Sequence, residues 1–593
     1  MVNNKVASFI AGIVFAFNPY HLIHGMGHLG ATTILWIPFS ALYLIKCFKE
    51  PSTRNSVLAG IFFILVAMSD LQYMIFMGLF ASLLFFYDLY LTLRHEAPRQ
   101  GEALLNMFQK YAIFGLVASI GILPLTFNEI LIATSKENFL RPDPSEAITF
   151  STDLLSFFLP SILHPLFGGI VAPVSYGFTG NPSENTTFIG YTVLLLSLIT
   201  IFKLRSDKTA LFWIISAVFF SVMSLGPVLH LDGRIEFTRQ QVMIPLPYSL
   251  IYHTVPFLEN CRTVGRFFVI AILSFSVLSG YGISWIMRRY PNRSNLAAVL
   301  VAALIVFEYA SVPYPLSYVD HPAFYENISH DKGSYALLEI PATKIYESGV
   351  RILYYQTIHC KPIVGTQAAR VPSNARDFEL NTPFIRDLTY LAPANDIAAQ
   401  NLTEIGASVL NQYDIKYVII HKDEAYLGLT EDEIQFADSL LRFALKVEPV
   451  NYDNGSLAVY EVPLVPMRPF MALGTGFYEL ENWSGMPARW MQPDAVILAY
   501  SPENHTVNLR LQAVSFYNPR TVEIYAGSRL MARAAVNSTS FVNVTAHVPL
   551  IKGENIIRLH VPEGYDIPGD MPELNNTDDR HLSLAVRNVT ILP

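Results

Sequence analysis

The chain has 593 residues, 52% of them hydrophobic and only 15% charged, with a formal net charge of −8 and a mean hydropathy of +0.35. Soluble domains carry roughly 25% charged residues, so the composition excludes an ordinary soluble protein, and the mild acidity excludes a nucleic-acid partner. Three cysteines, Cys47, Cys261 and Cys360, exclude a disulfide framework and a cysteine-based zinc site; Cys261 and Cys360 can pair, with two unrelated thiols as the simpler account.

Apolar runs occur at 6–18, 31–47, 56–69, 73–93, 108–127, 188–204, 209–226, 265–287 and 295–312. They predict a polytopic helical membrane domain of about nine spans over 1–312, in contact with the lipid bilayer. The first run is short, has no signal-peptide pattern before it, and is closed by Pro19, which stops a helix. It resembles an internal span, so an N-terminal segment is expected to be missing. Lys46, Lys49 and Arg54 flank one loop, and Arg94, Arg99 and Lys110 the next. Lys203, Arg205 and Lys208 mark a third, and Arg288, Arg289 and Arg293 a fourth. These are alternate loops, and the positive-inside rule puts all four in the cytoplasm. The loops 19–30, 70–72, 128–187 and 227–264, and everything after 313, are then extracytoplasmic, as in a multi-pass plasma-membrane protein.

The Asn-X-Ser/Thr sequons test this orientation independently. There are eleven. Asn185, Asn327, Asn401, Asn454, Asn482, Asn504, Asn537, Asn543, Asn575 and Asn588 fall outside, and only Asn292 falls in a cytoplasmic loop. The enrichment after residue 400 predicts external glycosylation in an archaeal or eukaryotic host.

After Tyr314 the pattern changes. Tyr335–Pro341, Val350–Tyr355 and Ile415–Ile420 are expected as strands, and Leu402–Leu410 and Glu431–Leu445 as helices. Strands alternating with helices predict an external α/β domain over 313–468. From 469 to 593 the runs Val507–Leu511, Thr521–Tyr525, Phe541–Thr545, Ile556–Val561 and Leu582–Val586 are short and separated by turn residues, which predicts a C-terminal β-sandwich.

Several segments, each weak alone, together resemble polytopic membrane glycosyltransferases of the GT-C type, including YfhO-like proteins and archaeal relatives. They are Phe15-Ala-Phe-Asn-Pro-Tyr-His21 with Gly27-His28-Leu29 and Trp36-Ile-Pro38; Ser151-Thr-Asp153 with Phe157-Phe-Leu-Pro160 and His164-Pro165; Leu225-Gly-Pro227 with Pro245-Leu-Pro247, Val255-Pro256 and Arg262-Thr-Val-Gly-Arg266; and finally Tyr354–His359 and Gly476–Trp483. The resemblance implies transfer of a sugar from a polyprenyl-phosphate donor to a glycan or protein acceptor on the external face. It also implies an acidic residue in a first external loop that has no counterpart in this chain. The alternative class is a non-catalytic membrane protein presenting a glycan-binding or structural external domain.

The donor implied by that resemblance needs cations at the external surface. Arg262 and Arg266 lie one helical turn apart at the outer end of a span and can grip a phosphate; the competing account is snorkelling or a salt bridge to Glu259. The loop 128–187 carries Asp143, Asp153, His164 and Glu184. Asp153 is the first choice for a general base, against a role as N-cap of a helix at Leu154. A divalent cation on such carboxylates is the one cofactor left open. Asp70 is a second catalytic candidate or an ordinary turn residue. His21, His24 and His28 are spaced to share one helical face. With no carboxylate near them in sequence they are expected to pack or to touch a head group or carrier phosphate, and no metal site is assigned. Trp483 and Trp490, with Tyr478, can stack on sugar rings or fill the sandwich core.

Overall fold

The computed structural model of the chain describes residues 4–94, 100–134, 141–237, 242–255, 257–316, 318, 320–342, 346–365, 370–422, 429–483, 485–574 and 576–592. The chain divides into two compact units, Met1–Ser317 and Tyr318–Pro593. The first is helical with several apolar candidate spans, and the second is rich in β-structure.

In the first unit the expected apolar runs fall on helices Lys5–Ala16, Trp36–Lys49, Thr53–Ser69, Leu71–Arg94, Gln100–Thr134, Tyr191–Leu204, Lys208–Ser224, Phe268–Arg289 and Ser294–Glu308. Among the described residues, four segments are long and apolar enough to cross a membrane: Lys5–His24, Leu71–Arg94, Gln100–Thr134 and Val264–Arg289. Side-chain oxygens start several helices by accepting backbone N–H bonds, as Asn4 does from Ala7 and Ser52 from Asn55. In the most apolar 18 residues of Val264–Arg289, 94% are buried, against 11% in those of Gln100–Thr134. The first is therefore the axis of the bundle. The second turns an apolar surface outward, which is stable only against lipid or a partner. Short helices Pro144–Thr149 and Gly168–Ser175, a 3₁₀ turn Leu154–Phe157, and a small hairpin of β1 (Glu236–Phe237) and β2 (Val242–Met243) fill the long loops.

Among its described residues the second unit holds three five-stranded sheets. A mixed sheet has the order β4-β3-β5-β7-β6, built from β3 (Ala336–Ile340), β4 (Ile363–Val364), β5 (Ile415–His421), β6 (Val450–Tyr452) and β7 (Leu457–Glu461). Strands β3, β4 and β5 are parallel, and β7 joins β5 antiparallel. Parallel neighbours need crossovers, and helices fill them. This corrects the expectation at Val350–Tyr355: the segment lies inside helix Tyr346–His359, between β3 and β4. Its short apolar run is as compatible with a half-buried helix as with a strand, and the topology decides. Helices Leu402–Gln412 and Glu431–Leu445 lie where expected, the latter opened by a capping box from Thr430 and Glu433.

The other two sheets are antiparallel. One has the order β15-β12-β17-β10-β9, from β9 (Phe477–Trp483), β10 (Met486–Met491), β12 (His505–Ser515), β15 (Val542–Leu550) and β17 (Leu584–Leu592). The other has the order β14-β13-β16-β11-β8, from β8 (Phe470–Leu473), β11 (Asp494–Ser501), β13 (Arg520–Ala526), β14 (Arg529–Val536) and β16 (Gly553–His560). Ile497, Ile524 and Leu559 of one share a single core with Leu509, Val544 and Val586 of the other. The alternating burial of β15 supplies that core from every second residue.

Candidate functional site

Three of the weak sequence motifs meet in the first unit, and glycines make the meeting possible. Gly226, at φ +74°, lies against Ser151; a Cβ there would come within 1.7 Å of the Ser151 hydroxyl. Gly265 packs under the loop of Glu184, where a Cβ would lie 3.0 Å from the Glu184 carbonyl. Its own N–H donates to the Phe150 carbonyl at 2.9 Å. The motif around Asp153 is thereby pressed onto the motif that carries Arg262 and Arg266.

Glu184 is the centre of the arrangement. Its carboxylate is 1% exposed and receives Arg266 through Nε at 3.0 and 3.1 Å and Nη2 at 2.6 Å. His24, wholly buried, directs Nε2 to Glu184 Oε2 at 3.6 Å. The His24 Nδ1 donates to the Tyr20 carbonyl at 2.8 Å, and the His24 and His28 rings are 5.3 Å apart. Burial raises the Glu184 pKa, but His24 and the Arg266 charge beside it outweigh that and hold the carboxyl well below the usual range. Burial lowers the His28 pKa; the Glu184 charge opposes that, while His24, Arg266 and Arg262 add to it. Glu184, Arg266, His24 and His28 therefore act on one small volume, with Arg262 close enough to be felt there. Beneath it, the Tyr20 and Tyr73 hydroxyls lie 3.1 Å apart, and Tyr73 donates to the Ala31 carbonyl.

The other candidates fare differently. Asp153 is buried, and its carboxylate accepts N–H bonds from Leu155, Asp232 and Gly233 at 2.9, 3.2 and 2.8 Å. It is the cap and loop brace of its competing account, with no face turned to a substrate. His164 is likewise buried: Nε2 donates to the Phe307 carbonyl, and Nδ1 accepts from the Leu166 and Phe167 backbone. Both ring nitrogens of His164 are thus engaged by backbone groups. Asp143 caps the helix Pro144–Thr149. Asp70 also caps a helix, accepting from Gln72 and Tyr73, but through Oδ1 alone; Oδ2 faces Gly30. The two arginines do not form the expected matched clamp. Arg266 is committed to Glu184, while Arg262 is 37% exposed, over the Phe150 ring and 3.5 Å from Glu146. Glu259 pairs instead with Arg141 and His253. His21 faces the Ala16 and Thr32 carbonyls and stands outside the cluster. All three cysteines are free thiols.

In the second unit, Trp490 is buried and Trp483 half-buried, tilted to each other at 65° with centroids 5.2 Å apart. With Phe516, Phe541 and Tyr478 they form a satellite cluster on one sheet. The edge-to-face geometry is that of packing, and of the two tryptophans Trp483 is the part-exposed one. An open pocket of about 730 Å³ lies by the mixed sheet, lined by Phe324, Asn327, Tyr417, Tyr452 and Leu464 among others, away from these tryptophans. Asn327, Asn401, Asn482, Asn504, Asn537, Asn543 and Asn588 are exposed, as is Asn292. Asn185 is not: it is 4% exposed, its amide donating to the Thr179 carbonyl and accepting from the Asp153 N–H, so an oligosaccharide has no access. Asn575 and the side chain of Asn454 lie outside the described residues.

With this geometry in hand, the chain is a helical membrane-type unit joined to a β-rich unit. No known protein family and no curated protein matches the sequence. Solved structures do. The arabinofuranosyltransferase AftD from Mycobacteria aligns with 100% of this chain and 50% of its own, at 11% identity and a TM-score of 0.43. A family 35 carbohydrate-binding module from an environmental isolate aligns with 21% of this chain and 97% of its own, at 15% identity and a TM-score of 0.14. A Podospora anserina mannanase carrying such a module aligns over 21% of this chain and 28% of its own, at 14% identity and a TM-score of 0.14. The chain thus spans about half the length of the arabinofuranosyltransferase and less of the mannanase.

Proposed function

We propose that the chain is a multi-pass membrane glycosyltransferase of the GT-C type, moving a sugar from a polyprenyl-phosphate carrier to a glycan or protein acceptor on the external side of the plasma membrane. The observation that carries this is the polar cluster of Glu184, Arg266, His24 and His28, with part-exposed Arg262 beside it. It sits at the ends of apolar helices Lys5–His24 and Val264–Arg289, and Gln72 at the start of Leu71–Arg94 hydrogen-bonds to Thr263 there. The opposite ends of the last two helices carry Arg94, Arg288 and Arg289. Ionisable groups held at a membrane interface are costly, and function is the usual reason for them.

In this mechanism Arg262 neutralises the phosphate leaving group, with Arg266 held in place by Glu184. Asp70, whose Oδ2 takes no part in capping, accepts the proton of the acceptor hydroxyl. The two external folds engage the acceptor, with Trp483 the available stacking ring. The test is turnover of a labelled polyprenyl-phosphate sugar by the full chain in nanodiscs. Wild type is expected to transfer, Asp70→Asn to lose about 10²-fold or more in kcat, and Arg262→Ala to weaken donor binding. A second reading, a non-catalytic anchor that presents a glycan-binding domain, draws on Asp153 and Glu184 both being locked in internal bonds. Glycan binding by wild type with no transfer from any carrier sugar would select it.

A further inference from the structure

We propose that His24, His28 and Glu184 together bind one divalent transition-metal ion of the zinc type. One ring nitrogen from each histidine and one carboxylate oxygen all lie within 4.8 Å of one another. The hydrogen bonding of His24 decides which nitrogen is offered. Its Nδ1 donates to the Tyr20 carbonyl, which leaves the lone pair on Nε2. That wholly buried Nε2 points at Glu184 Oε2 from 3.6 Å, and among the described residues it has no hydrogen-bond partner. A lone pair facing a carboxylate oxygen in a buried place is repulsive, and either a proton on that nitrogen or a metal ion between the two relieves it; the bare Nε2 beside the partnerless His28 Nδ1 points to the metal ion. His28 Nδ1 is likewise without a partner among the described residues.

The spacing also fits. Ligands of a tetrahedral zinc ion with bonds of about 2.0–2.1 Å stand roughly 3.4 Å apart, close to the 3.6 Å between His24 and Glu184. Arg266 contacts Glu184 Oε1 most tightly, at 2.6 Å, and leaves Oε2 on the histidine side. The Tyr20 carbonyl that orients His24 is the outer-shell acceptor such ligands ordinarily have. Two imidazoles and one carboxylate suit zinc and its neighbours better than magnesium or calcium, which prefer all-oxygen shells. Three protein ligands leave a coordination position for a water or a phosphate oxygen. That last point rests on the transferase reading; the metal site does not.

The test uses the full chain in detergent, stripped with a chelator and titrated with Co²⁺. Wild type is expected to develop the intense visible bands of tetrahedral cobalt at about one equivalent, with Zn²⁺ bleaching them. His24→Ala and His28→Ala should each weaken binding at least about tenfold, while His253→Ala, at an exposed histidine outside the cluster, leaves it unchanged. His28→Cys guards against variants that fail to fold: a thiolate-to-cobalt charge-transfer band should appear, because the new side chain is itself a ligand. A wild type without tetrahedral bands, bands indifferent to both alanine variants, or no charge-transfer band in His28→Cys would each overturn the proposal. Loss of transfer in Asp70→Asn with the cobalt spectrum intact separates the fate of the metal site from that of the enzyme reading.

Discussion

Glu184 shows how one buried carboxylate can be stable. Desolvation alone would raise its pKa, yet His24 and the Arg266 charge beside it hold it well below the usual range. The unfolded value is about 4.3 and the folded value lies lower. The stabilisation is therefore complete above about pH 4.3 and is lost only in strong acid, as pH falls through the folded value. Removing the charge at neutral pH is another matter, since Arg266 is then left buried and unpaired. Glu184→Gln is expected to cost about 3–5 kcal/mol, read as a lower melting temperature of the chain in nanodiscs at pH 7. His359 also loses its contribution as pH falls, but for the opposite reason: burial disfavours its charged form. Its Nδ1 accepts from the Lys361 N–H, so the ring is neutral, and burial lowers its pKa against the pull of Glu339. With the folded value below the unfolded value of about 6.5, its contribution is present above about pH 6.5 and falls away in mild acid. His359→Gln should flatten the decline in melting temperature between pH 7 and pH 5; an unchanged slope would assign the decline to other groups.

Between elements, the first unit depends on contacts that hydropathy does not reveal. Lys110 on helix Gln100–Thr134 reaches Asp88 on helix Leu71–Arg94 at 2.6 Å, both nearly buried. Such a pair contributes little net stability, but removal of one partner leaves a charge in an apolar setting. Lys110→Met alone is expected to lower stability by about 3 kcal/mol or more, and Asp88→Leu added to it should restore much of that loss. Thermal unfolding of the single and double variants measures the coupling. In the second unit the same logic acts across elements far apart in sequence. Asp396, on the loop before helix Leu402–Gln412, receives Arg386 and, from strand β10, Arg489 at 2.8 and 2.9 Å. Gln400 exchanges two hydrogen bonds with Met471 of β8. Helices and sandwich are thereby joined within one unit.

For the whole molecule, the useful measurement is glycan occupancy. Peptide mapping after expression in a glycosylating host should find Asn482, Asn504, Asn537 and Asn543 occupied, Asn185 unmodified because its amide is buried, and Asn292 unmodified because the proposed orientation puts its loop in the cytoplasm. A glycan on Asn292 would invert the proposed orientation. One on Asn185 would contradict the packing of its loop against Asp153.

Composition and periodicity alone settled the broad division of this chain. Apolar runs mark the helices of the first unit, and alternating runs mark most strands of the second, because both signals arise from burial along a single element. Val350–Tyr355 escaped that logic, since a short apolar run has no period of its own and the parallel pairing of β3 and β4 demanded a crossover there, which a helix fills. The candidate site was only partly legible. Glu184, Arg266 and His28 stood out as ionisable groups near spans, but their grouping was hidden, because about 160 residues separate the histidines from the carboxylate that completes them. Only the tertiary structure showed that Asp153 and His164 spend their polar atoms on backbone groups, that Asn185 is sealed from solvent, and that His24 turns a bare nitrogen toward Glu184. Sequence registers which residues can do chemistry; which of them remain free to do it depends on partners brought from elsewhere in the chain.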